Sequence, residues 1–183
     1  MELGRILSEK NQFELTVLRL CHQLVERYDD FSEACLVGIQ PRGAIFADYL
    51  VSQIKHIFKI KYLDYGKIDI TFHRDDYRLN PSPKASKTEM DFQTIENKRV
   101  ILIDDVLYTG RTVQAAMVAL QDFGRPKSVE LLVLVDRRFN RHLPIQPDYT
   151  GITVDALDEA FVKVAWHETP NSPCVIYLFP EKK

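Results

Sequence analysis

The chain of 183 residues lacks a long uninterrupted hydrophobic run. A helix needs roughly 20 consecutive apolar residues to span a bilayer, so no membrane-spanning segment is expected. The amino terminus also lacks the charged and apolar blocks of a secretory signal peptide. Together these absences predict a cytoplasmic protein that has no membrane partner.

Cysteine is scarce, and its spacing suits neither a zinc site nor a redox couple. The three cysteines, Cys21, Cys35 and Cys174, lie in apolar surroundings and are predicted to be small core residues. The formal net charge of −2 gives no overall attraction to nucleic acid. Nucleic-acid binding would therefore have to depend on a local basic patch.

The apolar pattern predicts a single α/β domain over residues 1–183, with a mostly parallel sheet flanked by helices. Ser8 is a candidate cap for a first amphipathic helix that buries residues from Phe13 to Tyr28. Further segments follow along the chain: a strand at 34–39, a helix with its buried stripe over 45–57, strands at 68–72 and 129–135, and a closing hairpin from residues 161–164 and 174–179.

Residues 100–112 are the most informative segment. An apolar run at 100–103 is typical of a buried parallel strand, and it is followed by an acid pair and a hydroxyl-rich glycine turn. A helical repeat then starts near Thr112, with a stop signal at Gly124. The turn should lie at the carboxyl end of the strand, where open α/β sheets bind their ligands.

The chemistry of this turn indicates a ribose 5-phosphate. Thr109 and Thr112 can donate hydroxyl protons to phosphate, and Gly110 can adopt a positive φ. Asp104 and Asp105 would repel phosphate, but they can accept hydrogen bonds from a vicinal diol and attract magnesium. A buried strand that simply ends in a solvated acid pair is the alternative interpretation. A receiver-type phosphoacceptor would place its acids after the first strand, whereas these lie past mid-chain.

A second turn, at residues 38–43, follows the first core strand and should lie at the same sheet edge. A long stretch at 74–98 has few large apolar residues and reads as a loop. Such loops are often lids, although a disordered insertion or an exposed hairpin is also consistent with this composition.

These motifs resemble the type I phosphoribosyltransferases. The chain is most similar to their branch of bifunctional pyrimidine operon regulators and uracil phosphoribosyltransferases. The resemblance spans the chain from the first helix to Tyr149, and it is carried by residues 36–43, 68–76, 100–112, 124–126, 135–137 and 143–145.

The resemblance implies phosphoribosyl transfer from phosphoribosyl pyrophosphate (PRPP) to uracil, giving UMP and pyrophosphate. It also implies a flexible lid over 74–98 and a small hood over 136–170. The implied catalytic residues are Asp104, Asp105, Arg42 and Arg74, with a pyrophosphate loop of Pro41, Arg42 and Gly43. The implied PRPP and UMP contacts are Asp104, Asp105, Val106, Leu107, Tyr108, Thr109, Gly110, Arg111 and Thr112.

Magnesium is expected to enter with PRPP near Asp104 and Asp105 rather than through a dedicated set of side-chain ligands. The sequence departs from the family at Gln40-Pro41, where relatives can carry Lys-Thr, and Pro41 has no amide to donate. Tyr108 stands where the hypoxanthine-guanine enzymes of the family carry an acid, which disfavours a purine base. Arg137 and Val162 are expected near the base, although a salt-bridged surface position suits Arg137 equally well.

Regulation of transcription by binding pyrimidine-operon mRNA is the alternative function, with or without enzyme activity. The implied RNA-binding residues are Arg19, His22, Arg27, Arg138 and Arg141. Gln146, Ile152 and the acidic stretch 155–159 stand where RNA-binding relatives tend to be more basic, and missing cations weaken phosphate binding. A homodimer or higher homo-oligomer is also expected. A catalytically idle scaffold and an orotate substrate remain open.

Overall fold

The computed structural model describes residues 4–75, 85–155, 160–166 and 175–179. The strands are β1 Arg5–Ser8, β2 Ala34–Ile39, β3 Asp64–Ile68, β4 Glu89–Met90, β5 Arg99–Leu107, β6 Ser128–Arg137, β7 Tyr149–Val154, β8 Phe161–Ala165 and β9 Val175–Phe179. The helices are α1 Lys10–Tyr28, α2 Arg42–Phe58 and α3 Arg111–Leu120, with single 3-10 turns at Thr71–His73 and Gln121–Phe123.

The main sheet has six strands in the order β4-β3-β2-β5-β6-β7. All neighbours are parallel except the short antiparallel pair of β3 and β4. The chain moves outward from β2 to β3 on one side and from β5 to β6 and β7 on the other. The strand order therefore reverses between β2 and β5, and a crevice forms outside their carboxyl ends.

Alternate residues of the central strands face opposite layers, as the period of a strand requires. Leu36, Ile101 and Leu132 point into the core that α1 and α2 cover, and Val37 and Leu102 point into the core that α3 covers. Both faces of the sheet are thus apolar, which confirms the predicted α/β architecture and explains the continuous hydrophobic runs.

A second, three-stranded antiparallel sheet has the order β1-β9-β8. The predicted hairpin partners β8 and β9 do pair, and β1 adds to the outer edge of β9. Within the predicted hood region 136–170, Tyr149–Val154 belongs instead to the main sheet. The hood is therefore built from β8, β9 and the first strand of the chain.

Three local predictions need correction. The strand expected at 68–72 lies earlier, as β3, and a 3-10 turn occupies Thr71–His73. Ile45 and Ile57 are exposed rather than part of the buried stripe of α2. The first helix is capped by Glu9, which forms a reciprocal capping box with Gln12, and not by Ser8.

The predicted lid, 74–98, is only partly described, because residues 76–84 lie outside the described ranges. Residues 85–98 include β4, and Ile95 is fully buried against the α3 side of the sheet. This part of the stretch is therefore anchored. None of the described helices is long and apolar enough to cross a membrane.

Candidate active site

A cavity of about 750 Å³ opens at the switch point between β2 and β5. Its volume falls within the range of pockets that hold small ligands. Residues from three predicted groups line it: the loop after β2, the motif at the end of β5, and the hood strand β8. The lining residues are Gln40, Pro41, Arg42, Asp69, Ile70, Thr71, Arg74, Ser86, Asp104, Asp105, Val106, Tyr108, Thr112, Arg137, Phe161 and Val162.

The two acids are part of β5, because the strand continues through them to Leu107. Each is only 6% exposed. The Asp105 N–H donates to Asp104 Oδ1 at 2.9 Å, whereas Asp105 Oδ2 is buried and accepts no hydrogen bond from the described residues. A buried acceptor without a donor fits a hydroxyl group or a magnesium-bound water of an incoming ligand.

Burial raises the pKa of both carboxyl groups. The pKa of Asp104 lies well above its ordinary value, and the charge of Asp105 adds to the effect of burial. The pKa of Asp105 is also raised by burial, while the positive charge of Arg42 acts in the opposite direction. The pair therefore gains most from a ligand that brings positive charge or hydrogen-bond donors.

Gly43 brings the loop after β2 against these acids. A Cβ at this position would lie 2.6 Å from the Ile103 carbonyl oxygen and 2.9 Å from Asp104 Cα. Only glycine lets the start of α2 approach β5 this closely. Arg42, the first residue of α2, lines the cavity as a result, and the cis peptide before Pro41 lies in the same loop.

The motif turn ends in a helix start. Gly110 has a φ of +91° and precedes α3, which begins at Arg111. The Arg111 N–H lies 3.4 Å from Thr109 Oγ1, and the first amides of a helix have no partner within it. Thr112 lines the cavity beside these amides, so the turn presents donors suited to a phosphate.

Two motif residues point elsewhere. The Leu107 side chain is buried in the core beneath α3, so only its backbone can serve a ligand. The Arg111 side chain does not line the cavity, because it forms an ion pair with Asp75 and contacts His142 Nδ1 at 3.4 Å. Arg74, next to Asp75, does line the cavity. The Arg111 pair thus ties the start of the 74–98 stretch to the motif turn.

The two residues predicted to meet the base both line the cavity. Arg137, at the end of β6, is buried, and Val162 projects from β8. The surface position considered for Arg137 is therefore excluded.

The three residues predicted for RNA on α1 are exposed, and each makes a contact within the chain. Arg19 donates to the Gly151 carbonyl oxygen at 2.6 Å. His22 packs edge-on against Phe58. Arg27 pairs with Glu130 at 2.7 Å.

The other two residues predicted to bind RNA, Arg138 and Arg141, also form hydrogen bonds within the chain. Arg138 makes a two-pronged hydrogen bond with Asp155 at 2.7 Å. Arg141 is half-buried and binds Asp136 and the Tyr108 carbonyl oxygen. Whether these residues also bind RNA stays a prediction.

In the segment after β3, sequence reasoning assigned Arg74 to the site but missed Asp69, Ile70 and Thr71, which form one wall of the cavity with it. The Asp69 carboxylate accepts hydrogen bonds from Thr71 Oγ1 at 2.7 Å and from the Ser86 N–H at 3.2 Å. Gln40 Nε2 donates to the Lys87 carbonyl oxygen at 2.8 Å. The Asp-x-Thr spacing at 69–71 was a local signal for this turn, but it fell within the wrongly predicted strand.

The phosphoribosyl transferase domain family matches residues 5–169. The chain is 42% identical over 177 residues to the bifunctional protein PyrR of Caldicellulosiruptor bescii, covering 96% of each chain. It is 45% identical over 163 residues to the bifunctional protein PyrR of Gloeothece citriformis, covering 89% of this chain and 90% of that one. The chain belongs to the PyrR family of phosphoribosyltransferases.

Solved structures agree on the fold. The HGPRT-ase of Leishmania tarentolae, solved with GMP, has a TM-score of 0.70 at 18% identity and covers 97% of both chains. A hypoxanthine phosphoribosyltransferase of Staphylococcus aureus has a TM-score of 0.64 at 25% identity, covering 97% of this chain and 94% of that one. The chain therefore has the fold of these enzymes, in agreement with the family match.

Proposed function

We propose that this protein transfers the phosphoribosyl group of PRPP to uracil, forming UMP and pyrophosphate. One observation carries the proposal: the Arg42 loop, the buried acid pair and the donor-rich turn before α3 converge on one cavity at the switch point. This arrangement supplies cationic contacts, diol acceptors and phosphate donors in the order in which they occur along PRPP.

In the proposed reaction a uracil ring nitrogen attacks the anomeric carbon while the bond from that carbon to the pyrophosphate oxygen breaks. The proton that the ring nitrogen carried is released to water. Pyrophosphate leaves with the electron pair. The acid pair accepts hydrogen bonds from the ribose hydroxyls, and the amides and hydroxyls at Thr109 and Thr112 hold the 5-phosphate. Arg42 stabilises charge that develops on the leaving group. No covalent nucleophile is required.

Magnesium fits this site through the substrate. Among the described residues, no cluster of three or more His, Cys, Asp or Glu side chains could hold a metal by itself. The acid pair can accept hydrogen bonds from the water shell of a magnesium ion that PRPP brings in. The bound ion would neutralise negative charge on the pyrophosphate.

A pyrimidine is favoured over a purine by the residues at the base end of the cavity. Tyr108 is 40% exposed there and replaces an acid that purine enzymes of the family carry. Arg137 is a buried donor that lies over its ring. Phe161 and Val162 supply apolar surface for a small planar ring.

Incubating the protein with uracil, PRPP and magnesium is expected to give UMP, measured by chromatography. Hypoxanthine in place of uracil is the control base and is expected to give no nucleotide. Absence of product with uracil, cytosine and orotate would overturn the assignment of a pyrimidine substrate. Calorimetric titration with magnesium and PRPP then separates an idle scaffold, which binds neither, from an enzyme for another base.

A second candidate function is binding of pyrimidine-operon mRNA, because the curated relatives are named bifunctional. The observation that favours it is the exposure of Arg19, Arg27 and Arg138 around β7, the edge strand of the main sheet. The pairs with Glu130 and Asp155 offset two of these charges, so the attraction to phosphate is reduced.

Filter binding with attenuator RNA and a scrambled RNA, across several salt concentrations, tests this candidate. If it is correct, the attenuator RNA binds more tightly and Arg19→Gln with Arg138→Gln weakens it. Equal affinity for both RNAs would exclude it. Sedimentation of the same samples gives the oligomeric state, which we propose is a homodimer.

A further inference from the structure

The Arg137 guanidinium lies over the Tyr108 ring at the wall of the cavity. The guanidinium carbon of Arg137 is 3.9 Å from the centre of the Tyr108 ring. At this distance the guanidinium is in van der Waals contact with the ring, and a cation over a ring face is attracted by it. Arg137 is only 5% exposed, so the guanidinium side of the contact is shielded from water.

The backbone segments that carry these two side chains are fixed relative to each other. Arg141 donates to the Tyr108 carbonyl oxygen, and its guanidinium lies 3.4 Å from the Arg137 carbonyl oxygen. An ion pair with Asp136 holds Arg141 in place. The amides of His142 and Leu143 also donate to the Thr109 carbonyl oxygen, at 3.0 and 3.3 Å. These hydrogen bonds hold the end of β6 and the motif turn in a fixed arrangement.

The chemistry of Arg137 indicates what it can recognise. A guanidinium has five N–H donors and no acceptor, so it pairs with acceptor atoms such as a carbonyl oxygen and not with amino groups. Its donors lie in a plane, and their direction is set when that plane is fixed. Contact with the Tyr108 ring limits the orientations that this plane can take. Tyr108 therefore controls the direction in which Arg137 can donate.

We propose that Tyr108 is a positioning residue for base recognition, holding Arg137 so that its N–H groups meet an exocyclic carbonyl oxygen of the pyrimidine. The inference rests on the proposed function, and it adds the substrate feature that is read: an oxo group rather than an amino group. Tyr108 acts through the face of its ring. Its hydroxyl group is not required.

A double-mutant cycle tests this role. Tyr108→Leu is expected to raise the KM for uracil about 10-fold, the scale of a shielded cation–ring contact, with little change in kcat or in PRPP affinity. Arg137→Met, which keeps length but removes every donor, is expected to raise the KM further. Because Tyr108 acts through Arg137, the double variant should be no worse than Arg137→Met alone. Tyr108→Phe keeps the ring face and is expected to rescue the low KM.

Tyr62→Leu is the matched control, since Tyr62 is 87% exposed and does not line the cavity. This variant is expected to change neither the KM for uracil nor the KM for PRPP. Additive effects in the cycle, or a loss in Tyr108→Phe equal to that in Tyr108→Leu, would overturn the positioning role. Should Arg137→Met be unfolded at the assay temperature, Arg137→Lys takes its place in the cycle. A wild-type protein that forms no UMP defeats the proposed function instead, so the two failures are distinguishable.

Discussion

Asp104→Asn is expected to give a protein that binds PRPP about 10- to 100-fold more weakly, yet unfolds at a higher temperature at neutral pH. The weaker binding follows because an amide lacks the charge that strengthens hydrogen bonds from ribose hydroxyls. The hydrogen bond from the Asp105 N–H to Oδ1 can be kept, since the amide oxygen of asparagine also accepts hydrogen bonds.

The stabilisation follows from burial. Asp104 lies beside Asp105 in a site where burial raises the pKa of both, so keeping the carboxylate charged at neutral pH costs folding free energy. A neutral amide of the same shape removes this cost. An increase of roughly 2–4 °C in the midpoint of thermal unfolding corresponds to about 1 kcal/mol in a domain of this size.

The pH dependence has a definite sign. Because the pKa of Asp104 is raised in the folded state, that state binds more protons, and stability falls as pH rises from the ordinary aspartate value through the raised one. The advantage of Asp104→Asn should therefore be largest at neutral pH and should disappear near the ordinary aspartate pKa. The affinity of the wild-type protein for PRPP should weaken as the pH falls through the raised pKa of Asp104. This loss should begin at a pH above the ordinary aspartate pKa.

Calorimetry of unfolding at several pH values and titration with PRPP measure both effects. Asp122→Asn, at an exposed position in the 3-10 turn after α3, is the matched control and should change neither. An Asp104→Asn protein that is less stable than the wild type at pH 7 would contradict the account of the buried acid pair.

The motif and the loop after β2 could be predicted because their signals are local. A buried apolar run, an acid pair and a glycine turn stand within residues 100–112, and parallel strands place their carboxyl ends together. The structure brings both turns to one cavity, as expected from their positions at the carboxyl ends of parallel strands.

Contacts that join distant segments could not be predicted in this way. The pairing of β1 with β9 links the two ends of the chain, and nothing near Arg5–Ser8 identifies its partner. The direction of a long side chain is also set by its surroundings: Arg111 turns toward Asp75, and Arg141 toward Asp136. The strand predicted at 68–72 failed because the Asp69 carboxylate accepts hydrogen bonds from Thr71, which stabilises a turn instead.

Glu130→Gln is expected to destabilise the fold by about 2–4 kcal/mol, because hydrogen bonds to a charged acceptor each contribute about 1.5–3 kcal/mol. Glu130 is a buried carboxylate at the start of β6. It accepts hydrogen bonds from Tyr28 at 2.6 Å, Tyr149 at 2.7 Å and Arg27 at 2.7 Å. It thereby joins α1 to the edge strand β7. The glutamine amide would point an N–H group at one of these donors.

The acid dependence of this network is opposite in sign to that of the Asp104 site. Burial acts to raise the pKa of Glu130, but Arg27 and the two tyrosines together lower it below the ordinary value. The stabilisation is therefore fully present above the ordinary glutamate pKa and is lost as pH falls through the lowered one. The difference in the free energy of unfolding between wild type and Glu130→Gln, measured in urea, should be large at pH 7 and should shrink in acid.

Glu26→Gln, exposed on α1, is the control. A difference that stays constant from pH 7 into acid would mean that the lost stability comes from packing. The charge of Glu130 would then contribute nothing to the contact between α1 and the sheet.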